Sequence, residues 1–143
     1  MATKFVSGGQ TGADQEGIEA AAELGYPTGG IMPKGFRTED GPRPTWAKKY
    51  GLTESQSPDY SIRTWENVKN SDVTVWFGST SSKGYKCTRD AAFYYSLPFE
   101  INPSQAEFKE IVDNHNIVNI AGNRLSKNPG IRRLVRYAFE GLK

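Results

Sequence analysis

Short apolar runs alternate along the chain with segments whose apolar positions recur at helical spacing. Thr3 to Val6 is a brief extended run that stops at Gly8-Gly9, and Thr11 to Leu24 is rich in helix formers and ends at Gly25. This predicts a strand, a glycine turn and a helix. Ile18, Ala21 and Ala22 give that helix a buried side, with Asp14 in its first turn at the positive end of the dipole. A second strand is predicted over Pro27 to Met32. Tyr60 to Ser71 reads as a helix, and the β-branched and aromatic run Val73 to Phe77 as a strand ending at Gly78. The polar stretch Gly78 to Gly84 then leads to a helix over Thr88 to Ser96, with Ala91, Ala92 and Tyr95 toward the sheet. Pro98 to Ile101 is the next strand. Ser104 and Glu107 stand at capping-box spacing ahead of Phe108, Ile111 and Val112, which starts a helix near Ser104. A strand over Ile117 to Ala121 follows. Ile131, Leu134, Val135, Ala138, Phe139 and Leu142 keep the i, i+3, i+4 rhythm of an amphipathic last helix.

Strands alternating with helices require crossovers and therefore parallel pairing. The expected fold is α/β: a Rossmann-like, doubly wound, mostly parallel five-stranded sheet with helices on both faces. A length of 143 residues suits one ligand-binding domain over 1–143. The exception to the alternation is Pro33 to Pro58, rich in proline, glycine and charge, which reads as one long loop. A loop of that length is a candidate lid or ligand wall, or else a merely irregular connection.

Composition narrows the chemistry. Hydrophobic residues make up 36% and charged residues 24%, enough apolar material for a core, and a net charge of +2 supplies no field that selects nucleic acid. The single cysteine, Cys87, excludes an internal disulfide, and no Cys or Cys/His cluster is available for a protein-bound metal site. No apolar run nears the roughly 20 residues that span a bilayer, and the amino-terminal stretch lacks the apolar core of a signal peptide. These features predict a cytoplasmic, unprocessed chain with no membrane and no nucleic-acid partner.

In parallel sheets of this kind ligands sit beyond the carboxyl ends of the strands, so both glycine-punctuated loops are expected to open at one edge. In Ser7-Gly-Gly-Gln-Thr-Gly-Ala-Asp14, the residues Gly8, Gly9, Gln10, Thr11 and Gly12 place backbone N–H groups and a helix start where a phosphate would fit. The spacing is neither that of a P-loop nor Gly-x-Gly-x-x-Gly, which disfavours an ordinary ATPase or NAD enzyme. Tight strand-to-helix packing is the other use for these glycines. Asp14 either orients a ligand or only completes the helix start. The second loop offers Gly78, Ser79, Thr80, Ser82, Lys83 and Gly84, with Thr88 beyond it, as hydroxyls, a cation and close backbone approaches. Arg63, Asn67 and Asn70 share one helix face, so Arg63 and Asn67 can address a common ligand. Lys34 and Arg37, beside Glu39 and Asp40, either close over an anion or pair among themselves. His115 reads as a surface residue, Cys87 as a small core side chain, and Arg132, Arg133 and Arg136 as a solvated basic face. No motif sets a nucleophile beside its base, so no catalytic residue is assigned.

Ser7-Gly-Gly-Gln-Thr-Gly-Ala-Asp14, Pro33-Lys-Gly, Glu39-Asp-Gly41, Arg63-Thr64 with Asn67-Val68, Ser71-Asp72, Ala121-Gly122 and Pro129-Gly-Ile131 resemble, nearly end to end, the molybdenum cofactor carrier family. The resemblance implies a Rossmann-like subunit of the wider group that includes lysine-decarboxylase-like (SLOG) proteins. It also implies a homo-oligomer that binds and protects molybdenum cofactor as a carrier rather than a catalyst. The metal would arrive inside the cofactor. At the second loop the family tends to show a Gly-Gly-Thr-like segment, whereas this chain has Ser82-Lys-Gly-Tyr-Lys-Cys-Thr88. The alternative within the same superfamily is a nucleotide or ADP-ribose-like ligand, bound or hydrolysed at its nucleoside-phosphate glycosidic bond. The Pro-Gly-Gly-x-Gly-Thr segment that goes with hydrolysis is not in the sequence.

Overall fold

The computed structural model describes residues 3–143; Met1 and Ala2, at the head of the stretch read above as lacking a leader, lie outside them. The elements run β1 (Lys4–Ser7), α1 (Ala13–Glu23), β2 (Thr28–Met32), α2 (Pro44–Lys49), β3 (Leu52–Glu54), α3 (Tyr60–Lys69), β4 (Val73–Phe77), α4 (Lys83–Tyr94), β5 (Phe99–Ile101), α5 (Gln105–Asn114), β6 (Ile117–Gly122) and α6 (Ile131–Glu140). The sheet is parallel throughout, in the order β3-β2-β1-β6-β4-β5. It has six strands, not the five expected.

The sixth strand and α2 both fall in the segment read as one long loop, Pro33 to Pro58. Pro44 is the first residue of α2, where its missing N–H removes no helical hydrogen bond, so a residue that reads as a breaker instead starts a helix. β3 is only three residues long and lies at the sheet edge, too short for its alternation to register. The Ser82 side chain caps α4 by accepting from the Tyr85 N–H, so that helix begins at Lys83 rather than near Thr88.

β4 is buried at every position, as befits an inner strand covered on both faces. Against one face pack α1, α5 and α6, where Phe5, Phe77, Phe108 and Phe139 meet; the Phe108 and Phe139 ring centroids are 4.9 Å apart. On the other, Val68 of α3 and Ala91 and Ala92 of α4 form a second core with Trp65 and Tyr95. A third cluster joins Ile18 of α1, Met32, Ala47 of α2 and Leu52, and the Trp46 Nε1–H donates to Glu19 at 2.9 Å, seating α2 beside α1. The basic face of α6 is not merely solvated. Arg136 bonds to both Glu16 and Glu23, and Arg132 lies 3.5 Å from Glu16, so two of its three arginines tie α6 to α1.

This winding sets the ligand edge. The chain leaves β1 toward β2 and β3 on one side, while β6, β4 and β5 lie on the other, so the strand order reverses between β1 and β6. A crevice opens outside the carboxyl ends of the strands at such a point.

Candidate functional site

A cavity of about 860 Å³ lies where the β1–α1, β4–α4 and β6–α6 loops meet the start of α3. Of the residues singled out from the sequence, Gln10, Asp14, Arg63, Ser79, Ser82, Lys83, Gly84 and Thr88 line it. The two glycine-punctuated loops therefore open at one rim.

The first loop is nevertheless not a bare backbone cradle. The Gly9 N–H donates to Ser7 Oγ (3.2 Å), the Gln10 N–H to Asp14 Oδ2 (3.2 Å), the Thr11 N–H to Gln10 Oε1 (3.0 Å) and the Ala13 N–H to the Asn123 carbonyl (3.1 Å). These N–H groups are thus taken up by the side chains of Ser7, Gln10 and Asp14 and by the Asn123 carbonyl. The glycines serve close packing instead. A Cβ on Gly8 would sit 2.5 Å from Arg63 Cζ, and one on Gly9 would sit 2.7 Å from the Met32 side chain. Gly12, at φ +84°, faces the 123–125 backbone, where a Cβ would come 2.7 Å from the Leu125 nitrogen. Thr11 donates to Glu39 and accepts from the Leu125 N–H. Gly78, at φ +113°, abuts Asn123, whose Oδ1 accepts the Ser79 N–H at 2.7 Å. Thr80 is exposed on its loop.

Two further residues expected at the ligand do not line this cavity. Lys34 is exposed on the segment after β2 and is not among the cavity-lining residues; its N–H donates to the Ser57 carbonyl. Asn67 is buried and completes the sheet: β1 pairs with β2 only as far as Val6↔Gly29, and the Asn67 amide then exchanges two 2.9 Å hydrogen bonds with the Ile31 backbone. Arg37 and Glu39 neither pair with each other nor close over the cavity. The Arg37 guanidinium stacks on Tyr60, while the Glu39 carboxylate accepts from Thr11 and Ser126.

Other lining residues were not read from the sequence as ligand contacts: Asp59, Tyr60, Thr64, Trp76, Cys87 and, from the β6–α6 loop, Asn123, Arg124 and Lys127. The last three follow a strand and precede a helix, as the two glycine loops do, so the same positional rule applied to β6 would have found them. Cys87 is half-buried at the cavity wall rather than in the core, and its thiol is pushed up by burial. His115 is half-buried, its Nδ1–H donating to the Ile111 carbonyl at 2.7 Å.

Electrostatically the cavity is positive. Arg63, Lys83, Arg124 and Lys127 face Asp14 and Asp59 there, a balance that favours an anionic occupant. The Tyr60 ring is flanked by three guanidiniums, Arg37, Arg63 and Arg124, at 4.9, 5.6 and 5.5 Å from its centroid. Asp14 is 5% exposed, and burial raises its carboxyl from 3.8 to about 6 even with Arg63 4.0 Å away. The same desolvation lowers the Arg63 guanidinium. Two buried donors, Gln10 Nε2 and Arg63 Nε, have no protein partner. Among the described residues no cluster of three or more His, Cys, Asp or Glu could hold a metal ion. Nor is any helix there long and apolar enough to cross a membrane.

An all-parallel sheet with its cavity at the switch point, walled by three strand-to-helix loops, defines a Rossmann-like α/β domain. The chain belongs to the circularly permuted YpsA SLOG family, whose model matches residues 5–142. Among solved structures it is similar to the "Putative molybdenum carrier protein" of Syntrophus aciditrophicus SB, with 32% identity over 98% of this chain and 94% of that one and a TM-score of 0.86. No curated protein matches it.

Proposed function

We propose that the protein is a carrier that holds molybdenum cofactor, through its pterin and phosphate, in the cavity at the β1, β6 and β4 ends. The observation that carries this reading is the chemistry of the wall: four cations, a hydroxyl-bearing loop and the buried, unpartnered Gln10 Nε2 around a space of about 860 Å³. That volume lies within the ~300–1,000 Å³ typical of sites for small organic ligands. The name of the Syntrophus aciditrophicus relative, a molybdenum carrier protein, supports a molybdenum-bearing ligand.

The residues fit the cofactor by type. Arg63 and Arg124 are the partners for its phosphate, with Lys83 and the amino end of α4 also lining the cavity. Gln10, Asp14, Ser79 and Ser82 offer donors and acceptors to the edges of a pterin. When bound, the cofactor brings its own metal and redox chemistry, and the chain's part is to bind and shield it. This reading includes the cytoplasm as compartment and a homo-oligomer. The exposed Phe93 and Tyr94 on α4 supply an apolar face for contact between copies.

The test is to express the protein in cells that make the cofactor, then measure molybdenum by mass spectrometry and oxidised pterin by fluorescence, with ADP-ribose titrated in parallel by calorimetry. The carrier reading predicts molybdenum and pterin in equal amounts on the protein. Binding of ADP-ribose with no pterin retained would assign the cavity to a nucleotide-like ligand instead.

A further inference from the structure

We propose that Glu39, from the segment between β2 and α2, is a positioning residue that holds Gln10 and the Arg124–Lys127 arm in place in the cavity wall. The inference deepens the carrier reading, on which its ligand-binding arm rests. Its structural arm stands without it.

Glu39 lies on none of the cavity-lining segments but clasps two of them. Its carboxylate accepts from the Thr11 hydroxyl in the β1–α1 loop and from the Ser126 N–H (3.2 Å) and hydroxyl in the β6–α6 loop. Thr11 Oγ1 in turn accepts the Leu125 N–H at 3.1 Å, so one chain of hydrogen bonds crosses from loop to loop. An ionised carboxylate accepting several donors forms stronger bonds than a neutral acceptor. The direction of its titration agrees: burial pushes the Glu39 carboxyl up, but the bonds from Ser126 and Thr11 outweigh it and hold the group below its usual value.

The Glu39 backbone acts on the ligand wall directly. Its N–H donates to Gln10 Oε1 at 2.8 Å, and the Thr11 N–H donates to the same oxygen at 3.0 Å. Two N–H groups can only donate, so they fix the amide with its oxygen toward them and its Nε2 away. Gln10 is 5% exposed and lines the cavity, and that Nε2 is the buried donor left without a partner. Glu39 therefore orients Gln10 as a donor, and the ligand at this corner must offer an acceptor oxygen or ring nitrogen. On the other side Ser126 sits between Arg124 and Lys127, so the same carboxylate anchors both cations of the β6–α6 loop.

The experiment uses ¹⁵N-labelled full chain as wild type, Glu39→Ala, Glu39→Gln, Gln10→Ala and the Glu39→Ala/Gln10→Ala double variant. Amide exchange is followed by NMR, and binding of 6-hydroxymethylpterin phosphate by calorimetry. In Glu39→Ala the Thr11, Leu125 and Ser126 amides are expected to exchange at least tenfold faster while those of β4 and β6 are unchanged. Affinity for the pterin phosphate is expected to fall at least tenfold, with Glu39→Gln, which keeps one acceptor oxygen, recovering threefold or more. Glu39→Ala keeps the backbone N–H that meets Gln10 and removes only the carboxylate's bonds to Thr11 and Ser126, so the losses of Glu39→Ala and Gln10→Ala are expected to combine in the double variant. Unchanged exchange at Thr11, Leu125 and Ser126 in Glu39→Ala would overturn the proposal, as would an affinity of that variant within twofold of a wild type that binds the pterin phosphate. If the wild type ignores the pterin phosphate, the carrier reading fails, and the exchange result alone decides for or against the clasp.

Discussion

Replacing Asp14 by asparagine removes the one ionisable group that the β1–α1 loop buries, and its effect should depend on pH in a way that can be worked out beforehand. The native carboxyl keeps its proton to about pH 6, whereas its value without burial is 3.8. Between those values the native state holds a proton that the unfolded chain has released. Stability therefore falls as pH rises through roughly 4 to 6, and it stays lower above that window. The difference of about two pH units, at about 1.36 kcal/mol each, corresponds to about 3 kcal/mol. An asparagine side chain does not titrate, so the variant lacks this decline. Arg63, 4.0 Å from Asp14 Oδ2, pulls that value down, so its attraction is already contained in the figure of about 3 kcal/mol. Urea unfolding of both proteins from pH 4 to pH 7.5 measures the outcome. The free energy of unfolding of the variant minus that of the wild type should grow with pH, most steeply between 4 and 6. Parallel curves across the range would refute the claim that burial dominates the Asp14 environment.

The remaining predictions concern the elements that frame the cavity. Asn67→Leu leaves the Ile31 N–H and carbonyl without the two bonds that extend the sheet past β1, and should lower the free energy of unfolding by about 2–3 kcal/mol in denaturant titrations. Gly78→Ala forces a Cβ at φ +113° to within 2.7 Å of Asn123 Cγ; a loss of about 1–3 kcal/mol, with amide shifts confined to the β4–α4 and β6–α6 loops in NMR spectra, is expected. Arg124→Ala should weaken binding of a pterin phosphate by roughly 10- to 100-fold, as removal of a charged hydrogen-bond partner does, while leaving the thermal midpoint within a few degrees of wild type. An affinity within twofold of wild type would remove Arg124 from the anion's surroundings.

How far the sequence revealed this arrangement follows from the range over which each signal acts. The capping box at Ser104 and Glu107 forms as the spacing predicts, because both of its hydrogen bonds close within three residues. The last helix likewise buries Ile131, Val135, Ala138 and Phe139 of its apolar stripe, although Leu134 is 41% exposed. Pro44 misled because a proline that starts a helix and one that breaks it look alike until its place in the turn is known. Local chemistry placed Gln10 and the Ser79 to Thr88 segment at the edge where the cavity opens. It could not show that Arg63 covers Gly8, since that depends on α3 packing over the sheet at β2. Asn67 looked like a ligand contact because its polarity is evident from the sequence, while the unpaired end of β2 that it completes is not. Glu39 and Arg124 belong to separate parts of the chain that only the tertiary fold brings together, through Thr11 and Ser126.

The central claim is that an anionic pterin is held where the β1, β4 and β6 loops converge. A crystal structure of the protein with the bound cofactor, or with its oxidised pterin phosphate, tests this most directly. The account predicts density for the ligand between Gln10 and the Ser79–Gly84 segment, with its phosphate against Arg63 and Arg124. A ligand seated elsewhere on the molecule, with that cavity holding only water, would contradict it.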